Sequence, residues 1–406
     1  MQKYHFSFLL VIFLIFIQTV QCQIIEFKNT SAVDRLAEVV TIKRFDSYKD
    51  KFPLLKDEKG NLFPFQFDDK DKDGTWDEWA ISISIKQKEV KKYKVQWVDS
   101  QEINKYKFET KTNLHFGKRQ ADGSYKNVDF ELHPKTHIAQ SEPWIYQYEG
   151  PGWENDKVAY RSYFDSRNGK DIFGKITSRM VLDSVMLYGN YHEFDARWGM
   201  DVLKVGKSLG MGAVAFVESG KIKRLGNADS MVYEKLIEGP LRSVFVIKYY
   251  DYSLHGEKRN ISDEIEIRAG GYFYKHTLYI NKPKNDTLLV GFANLKGVGK
   301  GEFVDLGTSK AVFTHGNQSE NHDNLGLSVF TDIKTATYGD APTEPDGDYV
   351  VNTSYLSAVA QEVNQFYVMG CWEKSDENFK TKQGFKDFLL LQMKKQAYPI
   401  EITIKK

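Results

Sequence analysis

Cysteine is nearly absent from this 406-residue chain, which holds only Cys22 and Cys371. Two cysteines cannot build a disulfide scaffold, and the scattered histidines form no Cys/His array of zinc-finger spacing. Proline is scarce too, at 10 residues, so little interrupts the strands. Neither sign of charge dominates, with 56 Lys and Arg against 55 Asp and Glu. That balance excludes bulk nucleic-acid binding, which needs a strong basic excess. Several catalytic signatures are missing as well. There is no Gly-x-Ser-x-Gly elbow and no P-loop: Gly206-Lys207-Ser208 resembles the end of a Walker motif, but Gly199 lies too far upstream. His192-Glu193 has no second histidine four residues on, which excludes a zincin. No repeat of solenoid or propeller type occurs.

What is abundant is aromatic: 14% of residues, with 23 Tyr and 27 Phe. Such side chains suit a pleated, half-buried surface, so the composition predicts an all-β fold. The length allows two or three domains. Residues 1–22 (MQKYHFSFLLVIFLIFIQTVQC) pair a charged start with a short apolar run, the pattern of a secretory signal peptide. The run is too short for a membrane span. Val20 and Cys22 fit the small-residue positions of a cleavage site before Gln23. Lipidation of Cys22 is the weaker alternative, because Gln21 is a poor residue before a lipidated cysteine. The expected location is therefore secreted or periplasmic. Cleavage leaves Cys371 alone, with no intrachain disulfide, and 55 basic against 55 acidic residues. Attraction for an anionic substrate must then be local.

Residues 23–100 read as a small N-terminal β-sandwich. Strands are expected at 37–42, 52–55, 62–67 and 79–85, with a lysine-guarded edge strand over 86–97. Between them lies DDKDKDGTWDE (68–78). Asp69, Asp71, Asp73 and Gly74 match the first half of a calcium loop, but the twelfth position is Ala80 rather than glutamate. Asp77 or Glu78 can substitute in a shorter loop. Structural calcium and a plain acidic hairpin tip both stay open. Residues 101–406 form the second unit. It is irregular over 102–152, then strand-rich at 213–217, 231–238, 243–250, 261–268, 272–280 and 288–293. One helix is expected over 375–396, carrying Phe379, Phe385, Phe388, Leu389 and Met393 on a stripe, before a last strand at 400–404.

The chemistry concentrates in residues 153–212. Read as a strand, 160–165 places Arg161, Tyr163 and Asp165 on one face. Tyr191, His192, Glu193, Asp195, Arg197, Trp198 and Asp201 follow. A guanidinium, a phenol and an imidazole on one wall suit an anionic sugar, whereas the bland alternative is a polar strand face. Trp144, Tyr146, Tyr148 and Trp153 offer stacking surfaces for sugar rings or ordinary core packing. His115, His133 and His137 read as packing or surface residues.

Several blocks carry a resemblance: FPFQFDDKDKDGTWDEW (63–79), EGPGWENDKVAYRSYFDSRNGKDIFGK (149–175), YHEFDARWGMDVLKVGKSLGMGA (191–213), EGPLRS (238–243) and GVG (297–299). Over essentially the whole mature chain it resembles a secreted Bacteroidetes family long described only as a domain of unknown function. That family sits in the galactose-mutarotase-like β-supersandwich group, and the chain looks like the newer ulvan lyases within it. The resemblance implies β-elimination at a uronic acid in an anionic, ulvan-type sulfated polysaccharide, with no cofactor required for the chemistry. In that reading His192 is the base and Tyr191 or Tyr163 the acid or alternative base. Arg161 and Arg197 hold the carboxylate, bidentate geometry suiting arginine. Lys204 binds sulfate or carboxylate, Asp201 orients a cation, and Trp198, Trp153 and Trp144 serve the sugar rings. Asp201 and Lys204 can instead be a helical i,i+3 pair. A glycoside hydrolase using Glu193, Asp195 or Asp201, an epimerase, and a non-catalytic glycan-binding protein are the alternatives.

Overall fold

The computed structural model describes residues 23–45, 50–295, 298–344 and 347–405. The signal peptide expected over 1–22, and Gly297 of the GVG run, lie outside them. The described chain is all-β with one long helix near its C-terminus. Alternation of aromatic and β-branched residues with polar ones produces long antiparallel strands, which bury one face.

The largest sheet has nine strands. Arg242–Leu254, Glu257–Arg268, Phe273–Ile280 and Val363–Trp372 form its middle. Two five-stranded sheets pack on it. One carries the functional stretch, in the order Gly199–Asp201, Lys170–Lys175, Val158–Ser162, Gly152–Asn155, Thr112–His115. The other is centred on Met211–Glu218, Thr287–Ala293 and Thr353–Val359. Trp153, Tyr160, Phe245 and Tyr274 interlock between layers, Trp153 meeting Tyr274 edge-on at 5.1 Å. Burying rings this large supplies much of the core's hydrophobic stabilisation.

The N-terminal strands have their own core, built around Phe27, Trp79 and Ile81. The last strand, Glu401–Lys405, pairs with Ile24–Lys28, so both ends of the described chain meet in one sheet. Val90–Lys94 forms its far edge with three lysines, as a guarded edge requires. Arg242 ties this unit to the nine-stranded sheet through Asp68 at 2.8 Å and Glu78 at 2.5 Å. Burial lifts the Asp68 carboxyl to about 6.

Two expectations need correction. Residues 102–152 are not irregular throughout but hold four short strands, from Thr112–His115 to Phe130–Leu132. Their brevity hides the alternation. The expected helix over 375–396 is split. The Asp376 carboxylate accepts the Asn378 amide, capping a 3-10 turn at Glu377–Lys380. The Thr381 hydroxyl then accepts the Gly384 amide and starts the helix Lys382–Ala397. Phe379, Phe385, Leu389 and Met393 are buried as the stripe implies.

Candidate active site

The hairpin formed by Val158–Ser162 and Lys170–Lys175 sets the geometry. Its register places Arg161 opposite Asp171. Arg161 is buried and donates to Asp171 Oδ2 from Nη2 at 2.7 Å, and to Asp201 Oδ2 at 2.9 Å. Its Nη1 donates to the Tyr191 hydroxyl at 3.1 Å and to the Tyr148 carbonyl at 3.3 Å. The Tyr163 hydroxyl donates to Asp171 Oδ2 at 3.1 Å. Asp201 Oδ2 also faces His192 Nδ1 at 3.2 Å, and the His192 side chain is 55% exposed. An imidazole held at Nδ1 by a buried carboxylate has a fixed orientation and presents Nε2 outward.

Electrostatics differentiate the groups. The hydrogen bond to Asp201 raises the His192 pKa above 6.5, against the opposing effect of burial. Burial, followed by the charge of Asp171, pushes the Tyr163 phenol well above its ordinary value. Burial also raises Tyr191. Both phenols are therefore proton donors at neutral pH, not bases. Burial and the neighbouring charge of Asp201 lift Asp171 well above the usual carboxylate range. Its folded pKa exceeds the unfolded one, so its contribution to stability is present in acid and lost as pH rises toward neutrality. Denaturation at pH 5 and pH 8 tests this: Asp171→Asn will show a shallower loss of stability between them than the wild type.

Tyr163 lies between two guanidinium groups, with Arg167 4.3 Å and Arg161 5.0 Å from its ring. Arg167 closes on Asp165 and Glu149 at 2.6 and 2.7 Å. Arg224 stands within electrostatic reach of Arg167, Asp165 and Tyr163. Its Nη2 donates to the Ser208 carbonyl at 2.8 Å, its Nε is buried without a partner, and it makes no ion pair among the described residues.

The segment 176–198 that carries Tyr191 and His192 is fastened from below. Glu154 Oε1 accepts the Val181 and Leu182 amides at 2.8 and 2.9 Å, while Oε2 takes Lys175 Nζ at 2.6 Å. Gln147 donates to the Val185 carbonyl at 2.7 Å. At the segment's far end Gly199 has φ +130°, and a Cβ there would sit 1.8 Å from the Gly174 carbonyl oxygen. The segment also walls a recess of about 560 Å³ with Arg179, Arg197, Tyr188 and Phe194. Tyr188 and Phe194 are 72% and 45% exposed.

Sequence and structure can be compared residue by residue. Arg161, Tyr163, Tyr191, His192 and Asp201 come together, but Arg161 cannot hold a substrate carboxylate because Asp171 and Asp201 already occupy its buried guanidinium. The strand ends at Ser162, and Asp165 turns to Arg167 instead of sharing a face with Arg161. Arg197 is exposed on the recess and bidentate to Asp195. Trp153 is fully buried between Tyr160, Phe245 and Tyr274, so it is a core residue with no ring face for a sugar. Trp198 packs edge-on against Phe173 and shows the recess only its rim. Trp144 is half-buried beside His137, Glu149 and Arg167. Lys204 is exposed in a separate hollow with Leu295 and Gln318, and Asp201 lies in a strand, so no helical pair joins them. In the acidic loop Asp69 and Asp71 converge with Asp77 rather than Asp73. The Asp73 carboxylate instead accepts the Thr75 amide at 2.8 Å.

Asp171, Arg167 and Arg224 were missed. Counting register back from the SRNG turn would have paired Asp171 with Arg161. Arg224 carries no local signal, since it reaches the site from another sheet.

Fold and site together define an all-β sandwich protein with a solvent-facing histidine held by a buried aspartate and backed by a buried arginine. The chain belongs to the family described as a domain of unknown function (DUF4861), whose profile matches residues 27–402. It is similar to an uncharacterized protein P7 from Formosa agariphila, 22% identical over 285 residues, covering 62% of this chain and 66% of that protein. In fold it resembles an alpha-mannosidase from Enterococcus faecalis V583, at TM-score 0.50 and 10% identity, over 95% of this chain and 46% of that one. A glycosyl hydrolase family 38 protein from Enterococcus faecalis matches at TM-score 0.51 and 9% identity, over 95% and 47%. The chain thus spans just under half the length of these solved structures.

Proposed function

We propose that this protein is a secreted carbon–oxygen lyase that cleaves uronate-containing, ulvan-type sulfated polysaccharide by β-elimination. The observation that carries the reading is the half-exposed His192 imidazole fixed by buried Asp201 beside the Tyr163 phenol. The likeness in fold to an alpha-mannosidase and a glycosyl hydrolase family 38 protein supports a carbohydrate substrate. His192 Nε2 takes the proton from C5 of the uronate. The C5–H electron pair forms the C4–C5 double bond, the C4–O4 bond breaks, and the departing oxygen takes the Tyr163 hydroxyl proton. Charge building on the carboxylate needs a fixed cation. Arg224 replaces Arg161 in that role, with Arg179 and Arg197 meeting charged groups of the neighbouring sugar at the recess.

Digestion of sulfated and unsulfated uronate polysaccharides, followed by the ultraviolet absorbance of the unsaturated uronyl product, tests the reading; no absorbance on any of them sinks it. The base must be neutral to act. Because Asp201 raises His192, the acid limb of kcat/KM will lie above pH 6.5. Tyr163→Phe removes the proton for the leaving oxygen and will lower kcat by roughly 100-fold or more. Its effect will shrink on a substrate with a good leaving group, which a purely structural role would not produce. Hydrolysis needs two carboxyl groups about 5–10 Å apart across one bond. Asp195 is closed on Arg197, and Asp201 on Arg161 and His192, which favours elimination.

The reading extends to export through residues 1–22 and to a structural calcium at Asp69, Asp71 and Asp77. Alternate carboxylates with a turn glycine suit a hard cation. Calcium at 100 times its Kd will then add about 2.7 kcal/mol to stability, a gain that chelator reverses and Asp71→Asn removes.

A further inference from the structure

A second groove lies away from His192, between the strand Arg35–Lys43, the centre of the nine-stranded sheet and the last turns of the helix Lys382–Ala397. Its volume is about 340 Å³, within the ~300–1,000 Å³ of small-ligand sites. The walls are fixed. Buried Arg35 bridges Glu38 at 2.9 Å and the Tyr398 carbonyl at 2.5 Å, pinning the helix end to the strand. Arg268 donates to the Val39 carbonyl at 2.8 Å, pinning the strand to the large sheet. On the rim the strand bulges, and Ala37 takes φ +45°.

The lining is unusual in what it leaves unpaired. Gln392 is only 7% exposed, yet its carboxamide makes no hydrogen bond among the described residues. The side chains of Gln365, Gln396 and Lys395, all half-buried on the same groove, likewise make none. Buried polar groups are ordinarily satisfied, because each unmet donor or acceptor costs desolvation. Gln392 is the nearly buried one of the four; all line one cavity, where their polar atoms meet solvent and a ligand can take its place. Carboxamides both donate and accept, as vicinal hydroxyls require, and the Phe273 and Tyr367 rings give an apolar wall. The other charges are spent: Glu266 takes Lys275 at 2.9 Å and also Arg268, and Glu38 takes Arg35. Lys395 makes no ion pair among the described residues; Glu38 and Arg35 act on it at longer range and with opposite sign.

We infer that this groove is an accessory binding site for an acidic sugar unit, with the carboxamides of Gln365, Gln392 and Gln396 on its hydroxyls and Lys395 on its anionic group. It holds the substrate chain or its product away from the reacting centre and takes no part in bond cleavage. Its role toward the substrate chain rests on the proposed function, whereas sugar binding in the groove is independent of the chemistry assigned to His192.

Calorimetric titration of the full chain with sodium glucuronate and with glucose tests it. Wild type is expected to bind glucuronate about tenfold more tightly than glucose. Lys395→Met will erase that preference, and Gln365→Leu, on the opposite wall, will weaken both sugars, each with an unchanged melting temperature. Absence of glucuronate binding in wild type overturns the proposal. So does unaltered glucuronate affinity in both variants, which would place the bound sugar elsewhere, including the His192 site. Should one variant fail to fold, the other decides alone.

Discussion

Replacing His192 with alanine will lower the rate of unsaturated-product formation roughly 100- to 10,000-fold, the usual range for losing a positioned general base. The melting temperature will stay within about two degrees, because the side chain is more than half exposed and packs mainly against the Tyr191 ring. Both halves of the result matter. A rate loss with a parallel loss of stability would indicate collapse of the 176–198 segment rather than missing chemistry. An unchanged rate would move the base to another residue and end the mechanism proposed here. Asp201→Asn supplies the companion measurement. With the carboxylate charge gone, the support that raises His192 disappears, and the acid limb of the pH profile will move downward. A merely structural Asp201 would not shift that limb.

Glu154→Gln is expected to cost about 3–5 kcal/mol in urea denaturation, the penalty for stranding a buried charge. Glu154 and Lys175 have no exposed side-chain surface, and their 2.6 Å contact is the only ion pair either makes among the described residues. The Lys175 ammonium also donates to the Asn155 carbonyl at 2.7 Å, and its burial lowers its pKa. Losing the carboxylate leaves that ammonium in the core with half its partners. The glutamine oxygen can still accept the Val181 and Leu182 amides, so the damage comes from charge rather than from lost backbone bonds. Adding Lys175→Met to Glu154→Gln will therefore recover part of the loss, since a pair replaced as a whole is far less costly than one broken. If the double variant is as unstable as the sum of the singles, the two residues do not act as a pair.

Much of the architecture could be read from local pattern. Period-2 alternation marks the strands 79–85, 243–250 and 261–268, and the apolar stripe Phe385, Leu389, Met393 marks the helix. The site was legible as a neighbourhood. Tyr163, Tyr191, His192 and Asp201 belong to one stretch that is too polar to be scaffold alone. Their roles were not legible. Arg161 looked available for a substrate carboxylate, and whether a guanidinium is available depends on which carboxylates share its burial. The sequence leaves Trp153 open as a stacking surface or as core, and only the layer opposite, with Phe245 and Tyr274, makes it core.

The sequence alone determined an all-β chain, its C-terminal helix and the segment where polar chemistry gathers, because these follow from the spacing of side chains along one backbone. Tertiary structure alone decided the pairing of Arg161 with Asp171 and Asp201, the approach of Arg224 from another sheet, and the meeting of Ile24–Lys28 with Glu401–Lys405. Strand periodicity says which residues share a face. It does not say which sheet will cover that face, and burial by that sheet is what sets charge, pKa and access.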